Sequence, residues 1–220
     1  MTNILLEKPI LLLVEGRDEE IFFKYFIPHL IKTDENTWNN LDSIQVLPFN
    51  GTSKLSEILE LIKLVAGYEA VTQIGIIRDA DNDAISAFQA VQNALKIADL
   101  PIPESQLVPT QLKPVINAMI IPETGNGSFE KIFLNSVVDD PASNYVDEYF
   151  SNLNQHYNDG NLDRPINMCK AKIHAFLASR KKPIASFGGG AIEKYWDYDN
   201  ESFNDLKAFL MSLISDINTN

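Results

Sequence analysis

The sequence predicts an α/β fold with a mostly parallel central sheet flanked by helices, followed by a helical C-terminal portion. Residues 10–14 and 74–77 are continuous apolar runs of leucine, isoleucine, valine and one glycine, without the polar alternation of a half-exposed strand. Such runs describe strands buried on both faces, the kind found in parallel sheets. Strand-like and helix-like segments then alternate as far as residue 138, the pattern of parallel crossover units. Beyond Pro141 only helical periodicity remains.

The first strand, residues 10–14, is closed by Glu15 and Gly16. Ile21, Phe22, Tyr25, Phe26, His29 and Leu30 then recur at helical spacing, so residues 17–31 form a helix packed back on the sheet, with Pro28 expected to kink or end it. Residues 43–48 form a short strand, and Thr52 or Ser53 is expected to cap a helix reaching about residue 66. The third strand ends at Asp79; residues 83–99 repeat apolar side chains mostly every three or four positions and make a helix before the Pro101 and Pro103 break. Residues 115–121 read as a fourth strand stopped by Pro122, after which Ser128 is expected to cap a helix over 129–138. Helices are predicted over 145–157, 167–179 and 203–217, and the glycines at 188–190 read as a flexible turn before the last of them, or as backbone open to a phosphate. No linker or repeat interrupts the chain, so residues 1–140 are assigned to an α/β unit and 141–220 to a helical portion packed on the same domain.

Composition narrows the function classes. With 220 residues, 45% hydrophobic and 22% charged, the chain is long enough for one sizeable core. It holds no run of eighteen apolar residues and no signal-peptide pattern at its start, so a cytoplasmic protein without membrane association is expected. Cys169, the single cysteine, rules out an internal disulfide and a cysteine-based zinc site. The net charge of −12 argues against a broad basic footprint for nucleic acid. Lys170, Lys172, Arg180, Lys181 and Lys182 gather locally all the same, and a bound divalent cation reverses the sign of an acidic pocket.

The chemistry is concentrated in acids at strand ends. Glu15 closes the first apolar run and Glu19 follows one helical turn later, so both carboxylates can face one pocket. Asp79 and Asp81 close the third run. Open α/β sheets bind ligands outside the carboxyl ends of their strands, and clustered carboxylates repel unless a cation or shared protons compensate. Hard oxygen ligands suit Mg²⁺, which makes magnesium-dependent phosphate chemistry the leading expectation. An EF-hand is not supported, because its sixth and twelfth loop positions are Ala84 and Ala90, and residues 51–54 lack the spacer of a P-loop. His29, His156 and His174 show no metal-ligand spacing and read as packed or surface residues, and Trp38 and Trp196 read as packing anchors.

A strand ending in Val14, Glu15 and Gly16, then one ending in Asp79, Ala80 and Asp81, resembles the TOPRIM domain shared by topoisomerases, bacterial primases and OLD-family nucleases. The likeness covers roughly the first 140 residues. Glu19, four residues after Glu15, is similar to the primase and OLD arrangement, and Gly127 to Glu130 looks like the later small-residue-plus-glutamate motif of OLD-type nucleases. The resemblance implies a Rossmann-like TOPRIM fold and a nuclease (hydrolase) or nucleotidyl-transfer activity on DNA or RNA. It assigns Glu15 as general acid/base or metal ligand, Asp79 and Asp81 as ligands of Mg²⁺ (or Mn²⁺), and Glu19 and Glu130 as auxiliary ligands. A supporting lysine falls on Lys172, or on Lys170 beside it. No Walker motif is present, so the ATPase of OLD proteins would have to be a separate partner. The alternative is a non-enzymatic module that binds a nucleotide or nucleic acid and works with such an ATPase; oligomeric state is left open.

Overall fold

The computed structural model describes residues 5–38 and 40–214. Its sheet has four parallel strands, β1 (Ile10–Val14), β2 (Ile44–Pro48), β3 (Gln73–Asp79) and β4 (Val115–Ile121), in the order β2-β1-β3-β4. Around it lie α1 (Arg17–Thr33), the single turn α2 (Glu35–Trp38), α3 (Leu55–Lys63) and α4 (Ala84–Ile97). The chain continues through α5 (Glu130–Ser136), α6 (Pro141–Asn158), α7 (Met168–Ala178), α8 (Phe187–Ile192) and α9 (Asn204–Ile214).

The apolar run of β1 is explained by its central position, because side chains alternate across a strand and both faces here are covered. Ile10, Leu12 and Val14 enter a core built with α1, α5 and the helices after residue 141, whereas Leu11 and Leu13 enter a second core with α3 and α4. All five are fully buried. The first core is aromatic: Phe22 of α1 meets the rings of Phe23, Phe26, Phe129, Phe133, Tyr198 and Phe203. The outer edge of β4 is closed by the preceding loop, with Leu107 N–H donating to the Ala118 carbonyl and Thr110 N–H to that of Ile116.

Several local expectations are corrected. α1 continues through Pro28 to Thr33; Pro28 and Lys24, whose carbonyl would otherwise accept from residue 28, are both exposed residues. Thr52 and Ser53 do not cap α3: they lie in a 3₁₀ turn, and α3 begins at Leu55 without a side-chain cap. Ser128 does not cap α5, its hydroxyl instead accepting from the Asn167 amide at 3.2 Å. Residues 215–217 of the last predicted helix lie outside the described residues.

The glycines at 188–190 form a helix rather than a turn. Ser186 caps α8 by accepting the Gly189 N–H at 3.2 Å. The sequence suits the packing: a Cβ at Gly188 would lie 2.7 Å from the backbone oxygen of Asp18, and one at Gly190 would lie 2.5 Å from the Trp196 ring. These glycines let α8 press against α1 and Trp196. Gly188→Ala is therefore expected to destabilise the protein by about 1–3 kcal/mol, the usual cost of overpacking. Urea unfolding checks it, and an unchanged midpoint would mean that α8 shifts without penalty.

Candidate functional site

The carboxyl ends of the strands are tied to one another before any ligand is considered. Phe49 N–H donates to the Val14 carbonyl at 2.9 Å and Gly51 N–H to the Glu15 carbonyl at 3.2 Å, which pins the exit of β2 to that of β1. Glu15 reaches across to β3, where its Oε2 accepts the Asp79 N–H at 3.4 Å. Asp79 in turn accepts the Phe129 N–H on Oδ1 at 2.8 Å, which fixes the start of α5 and places Glu130 beside it. Gly16 keeps the turn between β1 and α1 narrow, since a Cβ there would lie 3.0 Å from the Glu19 carboxylate. Glu15, Glu19, Asp79 and Glu130 consequently line one open cleft of about 620 Å³.

The facing wall comes from the helical portion. Lys170, Ile173 and His174 of α7 line it, with Ser186 and Phe187 at the start of α8; Asn50 and Gly51, in the loop after β2, complete the lining. Lys172, singled out from the sequence, is placed elsewhere. Its ammonium pairs with Asp147 of α6 at 2.6 Å, because two residues along a helix turn a side chain by about 200°. Lys170 is the α7 lysine that faces the acids. Asp81 also stands apart from the cleft lining: it adopts a left-handed backbone (φ 51°), pairs with Gly127 in an antiparallel bridge, and leaves about half of its side chain exposed 4.0 Å from the Arg78 guanidinium.

Electrostatics mark Glu15, Glu19 and Asp79 as crowded. Burial raises the Glu15 carboxyl above the ordinary range, with the Asp81 charge adding to it, against smaller opposing effects of the Asp79 N–H and Arg78. Burial, then the charges of Glu15 and Glu130, push Asp79 well above the usual aspartate value. Glu19 is pushed up to about 7, first by burial and, more weakly, by the charges of Glu15, Asp18 and Glu130. Among the described residues no group of three or more His, Cys, Asp or Glu side chains is already arranged to hold a metal ion. The donor chemistry still fits Mg²⁺, which usually takes one or two carboxylates and completes its shell with water and substrate phosphate.

Glu19 supplies a pH test. Its protonated form is favoured by folding, so its contribution to stability is intact below the ordinary value of 4.5 and lost as pH rises through about 7. Glu19→Gln is therefore expected to match the parent near pH 4 and to exceed it at pH 8, by on the order of 1–3 kcal/mol after allowance for partial exposure. Urea unfolding at both values decides it, and an equal offset at the two pH values would reject the titration of Glu19.

Sequence reasoning missed Asn50, Gly51 and Arg78 as parts of this region, and it read His174 as structural. Arg78 had a visible signal, a cation in an apolar strand just before the acid. Gly51 was weighed only as part of an incomplete P-loop, and Asn50 had only loop character.

The model of the family described as "Protein of unknown function (DUF3226)" matches residues 9–215. The chain belongs to this family. No curated protein matches this DUF3226 chain. Among solved structures, it is similar to the C-terminal region of the Xanthomonas campestris pv. campestris OLD protein phased with iodine. The TM-score is 0.51 at 14% identity, over 97% of this chain and 98% of that one. The same region phased with mercury gives a TM-score of 0.48 at 13% identity, over 94% and 97% of the two chains. At such identity the first match shows a shared fold, a parallel sheet flanked by helices. The likeness runs through the helical portion and does not stop near residue 140.

Proposed function

We propose that this DUF3226 chain performs Mg²⁺-dependent phosphodiester chemistry on nucleic acid, as a TOPRIM-like nuclease or nucleotidyl transferase. The observation that carries this reading is the meeting of Glu15, Glu19, Asp79 and Glu130 in one open cleft at the carboxyl edge of the parallel sheet, with Glu15, Glu19 and Asp79 all pushed towards protonation. Such a site is costly unless positive charge enters it. The OLD-like motifs, together with the shared fold of an OLD C-terminal region, support nucleic acid as the substrate.

In this reading Asp79 and Glu15 would hold the cation, with Glu19 and Glu130 supporting it and Asp81 at the rim. When bound, Mg²⁺ supplies water activation and charge neutralisation at the phosphate. The chain's own groups do the rest. Glu15, held by the Asp79 N–H, is placed to accept a proton from the attacking water. Lys170, on the opposite wall, faces the anionic phosphate, and the α7 and α8 wall confines the strand.

The test incubates purified protein with single- and double-stranded DNA and RNA, with Mg²⁺ or Mn²⁺, beside Asp79→Asn, and follows Mg²⁺ binding separately by thermal shift. Cleavage or joining that depends on both cation and Asp79 supports the reading. Strand binding without turnover assigns the non-enzymatic module, working with a separate ATPase. Turnover unchanged in Asp79→Asn rejects this site.

A further inference from the structure

The geometry points to a groove along the outer side of α1 as the path of a single nucleic-acid strand entering the acidic cleft, an inference that rests on the phosphodiester reading above. Arg17, Lys24 and Lys32 lie seven and eight residues apart on α1, which brings them within one sector of about 80° over about 22 Å of helix. Arg17 lines the acidic cleft. Lys24 and Lys32 line a second groove, of about 600 Å³, between α1 and residues 191–199, with Lys194 on its other side. α1 and α8 border both spaces, and the basic sector of α1 runs from the one to the other.

Charge and shape select the occupant. Arg17 and Lys24 share the buried Glu20 at 2.5 and 2.7 Å, whereas Lys32 and Lys194 enter no ion pair among the described residues. Asp197 and Asp199 also line the groove; Asp199 is held by His29, 3.1 Å away, and Asp197 accepts the Asp199 N–H at 3.1 Å. The groove's own lining thus sets three lysines, Lys24, Lys32 and Lys194, against Asp197 and Asp199, in a chain whose net charge is −12. Tyr25, 40% exposed, lines the same groove as Lys24, Lys32 and Lys194 and offers it an aromatic face. Lysines meet backbone phosphates and an aromatic ring stacks on a base, the pairing that binds single strands without sequence preference. A duplex keeps its bases stacked inside and offers Tyr25 nothing to stack on.

The test measures binding of fluorescein-labelled single-stranded DNA and RNA by anisotropy, on an Asp79→Asn background that blocks turnover. Lys32→Gln combined with Lys194→Asn removes two exposed cations, and asparagine tolerates the left-handed backbone at 194 (φ 59°). The pair is expected to weaken binding and to flatten the slope of log K against log salt by about 1.4. Tyr25→Ala is expected to weaken binding by roughly 5- to 150-fold, the range for losing one stacked base. Circular dichroism confirms that these surface variants fold, and the DNA and RNA arms tell the two strands apart. Unchanged affinity and slope, while the Asp79-intact protein still cleaves, overturn the groove and leave the site. Tighter duplex binding that ignores Tyr25 also overturns it. Neither binding nor cleavage of any strand by Asp79-intact protein overturns both readings.

Discussion

Asp79→Asn is expected to lower metal-dependent turnover by roughly 10²-fold or more, the scale of removing one preorganised charge partner from an active site, and at the same time to raise thermal stability at neutral pH. The two effects share a cause. Asparagine keeps an oxygen to accept the Phe129 N–H now held at 2.8 Å, so the start of α5 stays anchored. What it removes is a buried charge beside Glu15 and Glu130. In the parent, folding raises the Asp79 carboxyl well above the ordinary 3.8, so the native state binds more protons than the unfolded chain above that pH. Stability is therefore complete below about 3.8 and declines as pH rises. The variant escapes this decline: its advantage in melting temperature is absent near pH 3.5 and grows towards pH 8. Added Mg²⁺ is expected to stabilise the parent more than the variant, because only the parent has the full charge to neutralise. A lower melting temperature for Asp79→Asn at pH 8 would show that the carboxylate is structural, not poised for a cation.

The sheet was legible in the sequence because burial on both faces leaves a direct mark: β1 and β3 need apolar side chains at successive positions, and the acids that end them stand out against that background. Glu15 and Asp79 were found for this reason, Glu19 by its spacing one turn after Glu15, and Glu130 only through the OLD-like motif; the structure brings all four to one cleft. Local chemistry misled where tertiary packing decided. Three consecutive glycines have poor helix propensity, yet α8 uses them because Asp18 and Trp196 leave no room for a Cβ. Ser128 had the composition of a cap, but Asp79 takes the Phe129 N–H and Asn167 takes the serine hydroxyl. Lys170 and Lys172 differ only in helical phase, and a short basic motif does not show which phase faces the sheet. The groove along α1 is spread over residues 17–32 and 194, so no contiguous motif announces it.

Phe22→Ala is expected to cost about 3–5 kcal/mol, the range for deleting a buried phenylalanine ring, and to reach the acidic cleft through the core. Phe22 is fully buried and meets six aromatic rings, so its loss leaves a cavity that rigid neighbours cannot refill. One of those rings is Phe129, 5.5 Å away between centroids and edge-to-face. Phe129 also donates the N–H that holds Asp79, so the ring that packs and the amide that orients the acid belong to one residue. A loosened Phe129 releases Asp79 from its anchor, and the site loses geometry as well as stability. Phe22→Leu, which keeps most of the apolar volume, is expected to recover more than half of the lost stability and most of the metal-dependent turnover measured well below the melting temperature. If Phe22→Ala, still folded at low temperature, turned over substrate at the parental rate, packing at Phe22 would have no hold on Asp79, and the site would owe its shape to the strand ends alone.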